Sequence, residues 1–378
     1  MTMSNDSDVL VVGAGLVGSA IAYGLLRQGL TVTLLDEGDV AFRASRGNFG
    51  LVWVQGKGFG CSAYARWSLA SSRLWPGFAA DLLDETQVNV ELVQNGGFHF
   101  CLNTQEFVER RERLEWLQAE VGPHYEFEML EQTAMRGRLP GVGPDVTGAS
   151  YTPMDGHVNP LKLFHALHKA CLGRGAVLHV NRRVQDILHT DGTFHVATSN
   201  GAFQAPRLVL AAGLGNKLLA DKVGLHAPVQ PNQGQVLIGE RIAPFLKNPT
   251  IYVRQTDEGT IQIGDSMEDC GFNDTTRTDV LAGIAARAIV CFPKLANLNI
   301  VRSWAALRVM TPDGYPIYQE SRSCPGAFVA TCHSGVTLAA AHAMRIAPWM
   351  AGQAQPDELY VFSGDRFLDP HRELHNDH

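Results

Sequence analysis

Three glycines, Gly13, Gly15 and Gly18, stand in the spacing G-x-G-x-x-G, and Asp36 follows at the tip of the next apolar run. Glycines so spaced let a chain turn tightly and lay its backbone against a pyrophosphate. A carboxylate about 20 residues further on accepts hydrogen bonds from ribose hydroxyls. Leu16 and Val17 complete the turn, and Glu37 extends its acidic partner. The charge of Asp36 argues against a 2′-phosphate, but a carboxylate there suits NAD as well as other dinucleotides. Further along, Arg308 lies within W-A-A-L-R-V-M-T-P-D-G-Y-P, residues 304–316. A guanidinium matches a carboxylate through two parallel hydrogen bonds. His333, Ser334, Gly335, Val336 and Thr337 form a polar turn ahead of an apolar segment. Free N–H groups at such a helix start can meet negative charge. Tyr252 and Arg254, on one strand-like run, are weaker candidates for a pocket roof.

The glycines need a strand before them and a helix after them. Residues 8–12 read as a buried strand, 19–28 keep small and apolar residues at helical spacing, and 31–35 read as a second buried strand. That is the βαβ context the fingerprint requires. A glycine-rich stretch, 37–60, carries Arg43, Ala44, Ser45, Asn48, Phe49 and Gly50, then Lys57, the one charge of the glycine loop 54–58. Residues 61–84 carry a helical apolar stripe, 88–92 and 97–102 alternate as strands, and 107–118 form a charged helix with a solvated face. A Gly- and Pro-rich crossover spans 137–156, and Asn159-Pro160 opens a helix to 172 with Asn159 as its cap. Strands follow at 176–180, 184–188 and 194–198, and 207–213 is a buried strand ending in Ala211-Ala212-Gly213. Residues 226–300 change to alternating strands, a pattern of antiparallel sheet, with a helix at 278–291. Strand 327–331 and a helix over 336–350 return to the first texture.

The fold class is therefore α/β, or α+β overall. A Rossmann-like domain is expected from residues 1–87, 151–225 and 301–378, interleaved with an antiparallel-sheet substrate domain from 88–150 and 226–300. The chain of 378 residues, 45% hydrophobic, is ample for such a core. A net charge of −7 argues against a general nucleic-acid surface. Seven scattered cysteines without a C-x-x-C pair give no metal or cluster spacing and suit a reducing, cytoplasmic setting. The polar, acidic start is unlike a signal peptide, and the glycines within 9–26 argue against a membrane span.

Taken in order, Gly13 to Gly18 with Asp36, Ala211-Ala212-Gly213, the 304–316 block and Thr331-Cys332-His333-Ser334-Gly335-Val336 resemble the D-amino-acid oxidase family of flavoproteins, which includes glycine and sarcosine oxidases. The segments 45–58 and 333–337 resemble in particular the beta subunits of D-hydroxyproline dehydrogenase, opine oxidase and hydrogen cyanide synthase. The resemblance implies FAD, held by the residues named above together with Val184, and a carboxylate clamp at Arg308. It implies oxidation of a small amino or imino acid, proline-, hydroxyproline- or opine-like, by hydride transfer to flavin N5. It further implies a second protein subunit, carrying FMN or an iron–sulfur centre, that accepts the electrons and could bring the chain to a membrane. A self-sufficient oxidase producing hydrogen peroxide and a non-catalytic flavin-carrying subunit are the alternatives. Two positions depart from the family pattern: Ala306 replaces a glycine and Val309 a proline. No cysteine lies between Trp304 and Thr311, so covalent flavin attachment there is not expected.

Overall fold

The structure, a computed structural model, describes residues 7–38 and 44–369. Its centre is Val9–Val12, whose side chains are all buried. This strand lies between Val32–Leu35 and Arg207–Leu210, parallel to both, with Val9 opposite Val32 and Arg207. The six-stranded sheet runs Ile317–Glu320, Ala327–Thr331, Arg207–Leu210, Val9–Val12, Val32–Leu35, Val177–His179. Only the edge strand Ile317–Glu320 is antiparallel to its neighbour. Strands covered on both faces read as continuous apolar runs, and VLVV, RLVL and AFVAT do so.

Helix Leu16–Arg27 packs on this sheet against Pro160–Gly173 and the closing helical segment. The approach is close enough to require a glycine: a Cβ at Gly24 would lie 2.2 Å from the Ala343 carbonyl oxygen. Asn159 caps its helix as expected, its side chain accepting from the N–H groups of Leu161 and Lys162.

A second layer is antiparallel. Gln230–Arg241 pairs along Ile300–Met310, placing Asn232 opposite Arg308 and Gly234 opposite Ala306. Thr260–Ile263 and Val253–Gln255 complete that sheet. Gly97–Cys101, Gly148–Thr152 and Glu128–Glu131 form a further sheet. Phe98, Phe100, Val253, Ile261 and Ile284 join both sheets and helix Thr278–Cys291 in one apolar core.

Three elements differ from the sequence expectation. Residues 88–92 form no strand: beside them only Val93 bridges to His157, so alternation found no neighbouring ladder. Ile300–Met310 and Gly148–Thr152 hydrogen-bond within the antiparallel layer, across the boundaries drawn at 301 and 151. The expected helix 336–350 begins as turns, is α-helical only at Ala339–Ala341 and Ala347–Met350, and widens to a π-helix at His342–Ile346. Pro348 explains the widening, since it has no N–H to return to the preceding turn. Among the described residues no helix is long and apolar enough to cross a membrane.

Candidate functional site

The first βα turn shows why each glycine stands where it does. Gly13 has φ +98°, and a Cβ there would lie 2.4 Å from the Ala211 carbonyl oxygen; at Gly18 it would lie 1.9 Å from the Gly13 carbonyl oxygen. Those two positions are dictated by the fold. Gly15 is different, because a Cβ would crowd only the Ser45 hydroxyl, at 2.8 Å. Its open face looks into a cavity of about 1640 Å³. That exceeds the roughly 300–1000 Å³ of ordinary small-molecule sites and leaves room for a dinucleotide and a small substrate together.

Gly13, Gly15, Leu16, Val17, Asp36, Glu37, Ala44, Ser45, Asn48, Phe49, Gly50, Val184, Ala211, Ala212 and Gly213 all line this cavity. Gly18 lies behind it, and Arg43 falls outside the described residues. The Asp36 carboxylate accepts the Ala14 N–H at 2.8 Å and the Gly38 N–H at 2.9 Å, and Ser45 Oγ accepts the Leu16 N–H at 2.9 Å. His168 was not visible from the sequence as a site residue. Its Nε2 lies 2.8 Å from the Ala14 carbonyl oxygen and its ring 4.2 Å from Phe164, one helical turn earlier. Burial lowers its pKa.

The far side of the cavity is built by the antiparallel layer. Arg308 Nη1 donates to Asn232 Oδ1 at 3.1 Å and to the Gln233 carbonyl at 3.0 Å, while Nη2 pairs with the Asp265 carboxylate. The guanidinium lies over Gly234, where a Cβ would be 2.3 Å from Nη2. Asp265 also lines the cavity, and nothing in the sequence pointed to it. Gly47 packs on Ala306, a Cβ at Gly47 falling 2.3 Å from the Ala306 methyl, and the Gly47 carbonyl accepts from Trp304 Nε1 at 3.0 Å. The methyl at Ala306 is thus accommodated by the absence of one at 47. The second half of the 304–316 block serves the fold: Asp313 is held through both oxygens by Arg366, with both side chains buried.

His333, Ser334, Gly335, Val336 and Thr337 line the cavity between these two sides. Ser334 Oγ accepts from Tyr64 Oη at 2.9 Å and from Lys57 Nζ, and His333 Nδ1 lies 3.5 Å from it. Thr337 Oγ1 accepts the Trp53 N–H at 3.1 Å, and its carbonyl accepts from Ser71 Oγ and Trp75 Nε1. The N–H groups of Gly335, Val336 and Thr337 have no acceptor among the described residues.

Tyr252 is the exception among the proposed catalytic residues, since it does not line the cavity. Its ring lies under the Arg287 guanidinium at 4.1 Å and edge-on to His99 at 6.2 Å. It sits in the bend just ahead of Val253–Gln255 and packs on the antiparallel core, and Ile251 lines the cavity instead. Arg254 is likewise buried elsewhere, against Gln262 Oε1, the Val158 carbonyl and His157.

Residues 8–349 match the family of FAD-dependent oxidoreductases. The chain belongs to that family. It is 46% identical over 361 residues to the B subunit of opine oxidase from Agrobacterium tumefaciens, covering 95% of this chain and 97% of that one. It is 28% identical over 408 residues to the HcnC subunit of hydrogen cyanide synthase from Pseudomonas protegens, covering 95% and 96%. Its fold matches glycine oxidase from Geobacillus kaustophilus with a TM-score of 0.89 at 24% identity, over 97% of this chain and 100% of that one. L-proline dehydrogenase from P. horikoshii superposes with a TM-score of 0.83 at 21% identity, over 97% and 99%. This chain is thus an FAD-dependent oxidoreductase. The cavity fits that cofactor. Gly15 leaves its face open as a pyrophosphate would require, the Asp36 carboxylate stands at the strand tip as a ribose would require, and the N–H groups at 335–337, without acceptors among the described residues, suit a ring that gains negative charge on reduction.

Proposed function

We propose that this chain is the FAD-bearing catalytic subunit of a heteromeric dehydrogenase that oxidises an opine-like or proline-like amino acid. Bound FAD supplies the hydride acceptor. Arg308 holds the substrate carboxylate, and its other donors, spent on Asn232 Oδ1 and the Gln233 carbonyl, fix the plane of the fork. The substrate carboxylate takes the place of Asp265 on Nη2, and the released Asp265 faces the substrate's cationic end. The substrate carbon loses hydride and its nitrogen a proton, leaving an imine that water hydrolyses. The free N–H groups at Gly335, Val336 and Thr337 stabilise the negative charge that develops across from them. His333 and Ser334, steadied by Lys57 and Tyr64, form the edge of this pocket.

The observation that carries the reading is Arg308 in the wall of a cavity that also holds the glycine turn. The subunit role is supported by the relatives named as subunits, and a partner carrying FMN or an iron–sulfur centre would take the electrons. The test is the acceptor. The isolated flavoprotein is expected to turn over slowly in air and at least tenfold faster with an artificial dye, and to bring down a second polypeptide from its native host. Equal rates of peroxide formation and dye reduction, with no second polypeptide, would make it a self-sufficient oxidase.

A further inference from the structure

The cavity holds a second cationic end, away from Arg308. Arg110, on helix Thr104–Val121, lines the cavity yet is only 8% exposed. Its Nε donates to Ser150 Oγ and its Nη2 to Gln55 Oε1, both at 2.9 Å and both neutral. Nη1 faces Gly56, where a Cβ would lie 2.5 Å away, and has no hydrogen-bond acceptor among the described residues. Burial lowers the Arg110 pKa to about 10. Asp155, a carboxylate whose charge reaches Arg110, is spent on the N–H groups of Val54 and Gln55 and on Gln55 Nε2. A buried guanidinium with no carboxylate is costly unless a counter-charge arrives from outside.

His99 lines the cavity with its Nδ1 buried and unpartnered among the described residues. Burial and the charges of Arg110, Arg113 and Arg287 hold its imidazole neutral, with a pKa well below the usual value. Arg113 lines the cavity and donates through Nε to the Gly56 carbonyl at 3.1 Å. Behind the cavity lining, a chain of contacts joins this end to the clamp. His99 packs on Tyr252, Tyr252 on Arg287, and Arg287 Nη2 donates to the carbonyls of Gly264 and Asp265 at 3.1 and 2.9 Å. Asp265 in turn pairs with Arg308.

We infer that Arg110, with His99 and Arg113, forms a second anion site that takes the distal carboxylate of a substrate whose proximal carboxylate is held by Arg308. Of the two substrate kinds proposed above, this site selects the opine-like one, a secondary amine flanked by two carboxylates, over the proline-like one. This rests on the amino-acid oxidation proposed above and narrows it. A plain amino acid has one carboxylate and leaves Arg110 without a counter-ion.

The holoenzyme tests this with an N-carboxyalkyl amino acid and the matching N-alkyl amino acid. Wild type should favour the dicarboxylate by roughly 10- to 100-fold in kcat/KM. Arg110→Met should collapse that ratio, Arg110→Lys should restore part of it, and Arg113→Gln should reduce it. No wild-type preference, or a ratio untouched by Arg113→Gln, would overturn the proposal even where Arg110→Met fails to fold. A second readout needs no turnover. Glutarate should raise the Tm of wild type more than butyrate does, and Arg113→Gln should shrink that difference. Equal shifts, or a shift from inorganic phosphate alone, would also overturn the site. If neither amine bleaches the flavin while glutarate still stabilises, amino-acid oxidation fails and the anion site stands.

Discussion

Replacing Arg308 by methionine removes the guanidinium while keeping most of the side chain's reach. Three partners lose it: Asn232 Oδ1, the Gln233 carbonyl and the Asp265 carboxylate. Asp265 is 39% exposed at its side chain and resolvates cheaply, and Asn232 keeps its bond to Asp269 at 2.9 Å. The cost to the fold is therefore about 1–3 kcal/mol, that of leaving a neutral acceptor unmet. The cost to catalysis is larger, because the substrate carboxylate loses a desolvated charged partner worth about 2–5 kcal/mol. At about 1.4 kcal/mol per decade, the middle of that range lowers kcat/KM by roughly 300-fold. Arg308→Lys keeps charge but not the fork and should lose roughly tenfold. Gly234→Ala offers a gentler perturbation, since its methyl would fall 2.3–2.5 Å from the guanidinium atoms and push the fork aside without removing charge. The assay is anaerobic flavin reduction in stopped flow, with a matched amine lacking the carboxylate as reference. The loss should appear in the ratio of the two substrates. Arg308→Met protein that retains its flavin and reduces it at the wild-type rate with an amino acid would refute the clamp.

Other predictions follow from the packing. Gly18→Ala drives a methyl into the Gly13 carbonyl and should unfold the apoprotein in urea titration. Gly15→Ala meets only the Ser45 hydroxyl and should fold but bind flavin weakly, read from absorbance after gel filtration. Arg366→Met strands the buried Asp313 carboxylate and should lower stability by about 3–5 kcal/mol, measured by urea midpoint. His342, buried against Tyr318 Oη at 2.8 Å, has its pKa pushed down to about 3 by burial. It is neutral in the fold, so its contribution is whole above about pH 6.5 and falls by about 1.4 kcal/mol per unit as pH drops toward 3. The stability of wild type relative to His342→Phe should therefore decline from pH of about 7 to about 5, and a constant difference would contradict the burial argument.

The nucleotide half of the fold was legible because its signals are local. A glycine turn, its flanking apolar runs and Asp36 lie within one βαβ unit, and helix Thr278–Cys291 matched its expected bounds. The substrate side was not, because it depends on register between distant strands. Arg308 meets Asn232 only through the pairing of Ile300–Met310 with Gln230–Arg241, and it meets Asp265 through a loop on neither strand. Tyr252 shows the same limit, since it falls in a bend just ahead of Val253–Gln255, where no strand period says which way a side chain points. Arg110 sat in a charge run that reads as solvated, R-R-E-R, yet only that member of the run is buried by the Gln55–Ser150 contact. Helical periodicity does not reveal which charge a neighbouring domain will cover.

The central claim is that this chain removes hydride from an amino acid carried on Arg308 and passes it to bound FAD. The most direct measurement is anaerobic titration of the purified yellow protein with opines, proline, hydroxyprolines, sarcosine and glycine. The visible flavin band should bleach with at least one compound bearing a carboxylate beside a secondary amine, and stay bleached until a dye is added. An oxidised spectrum unchanged by every amino acid, in protein that dithionite reduces normally, would contradict the account.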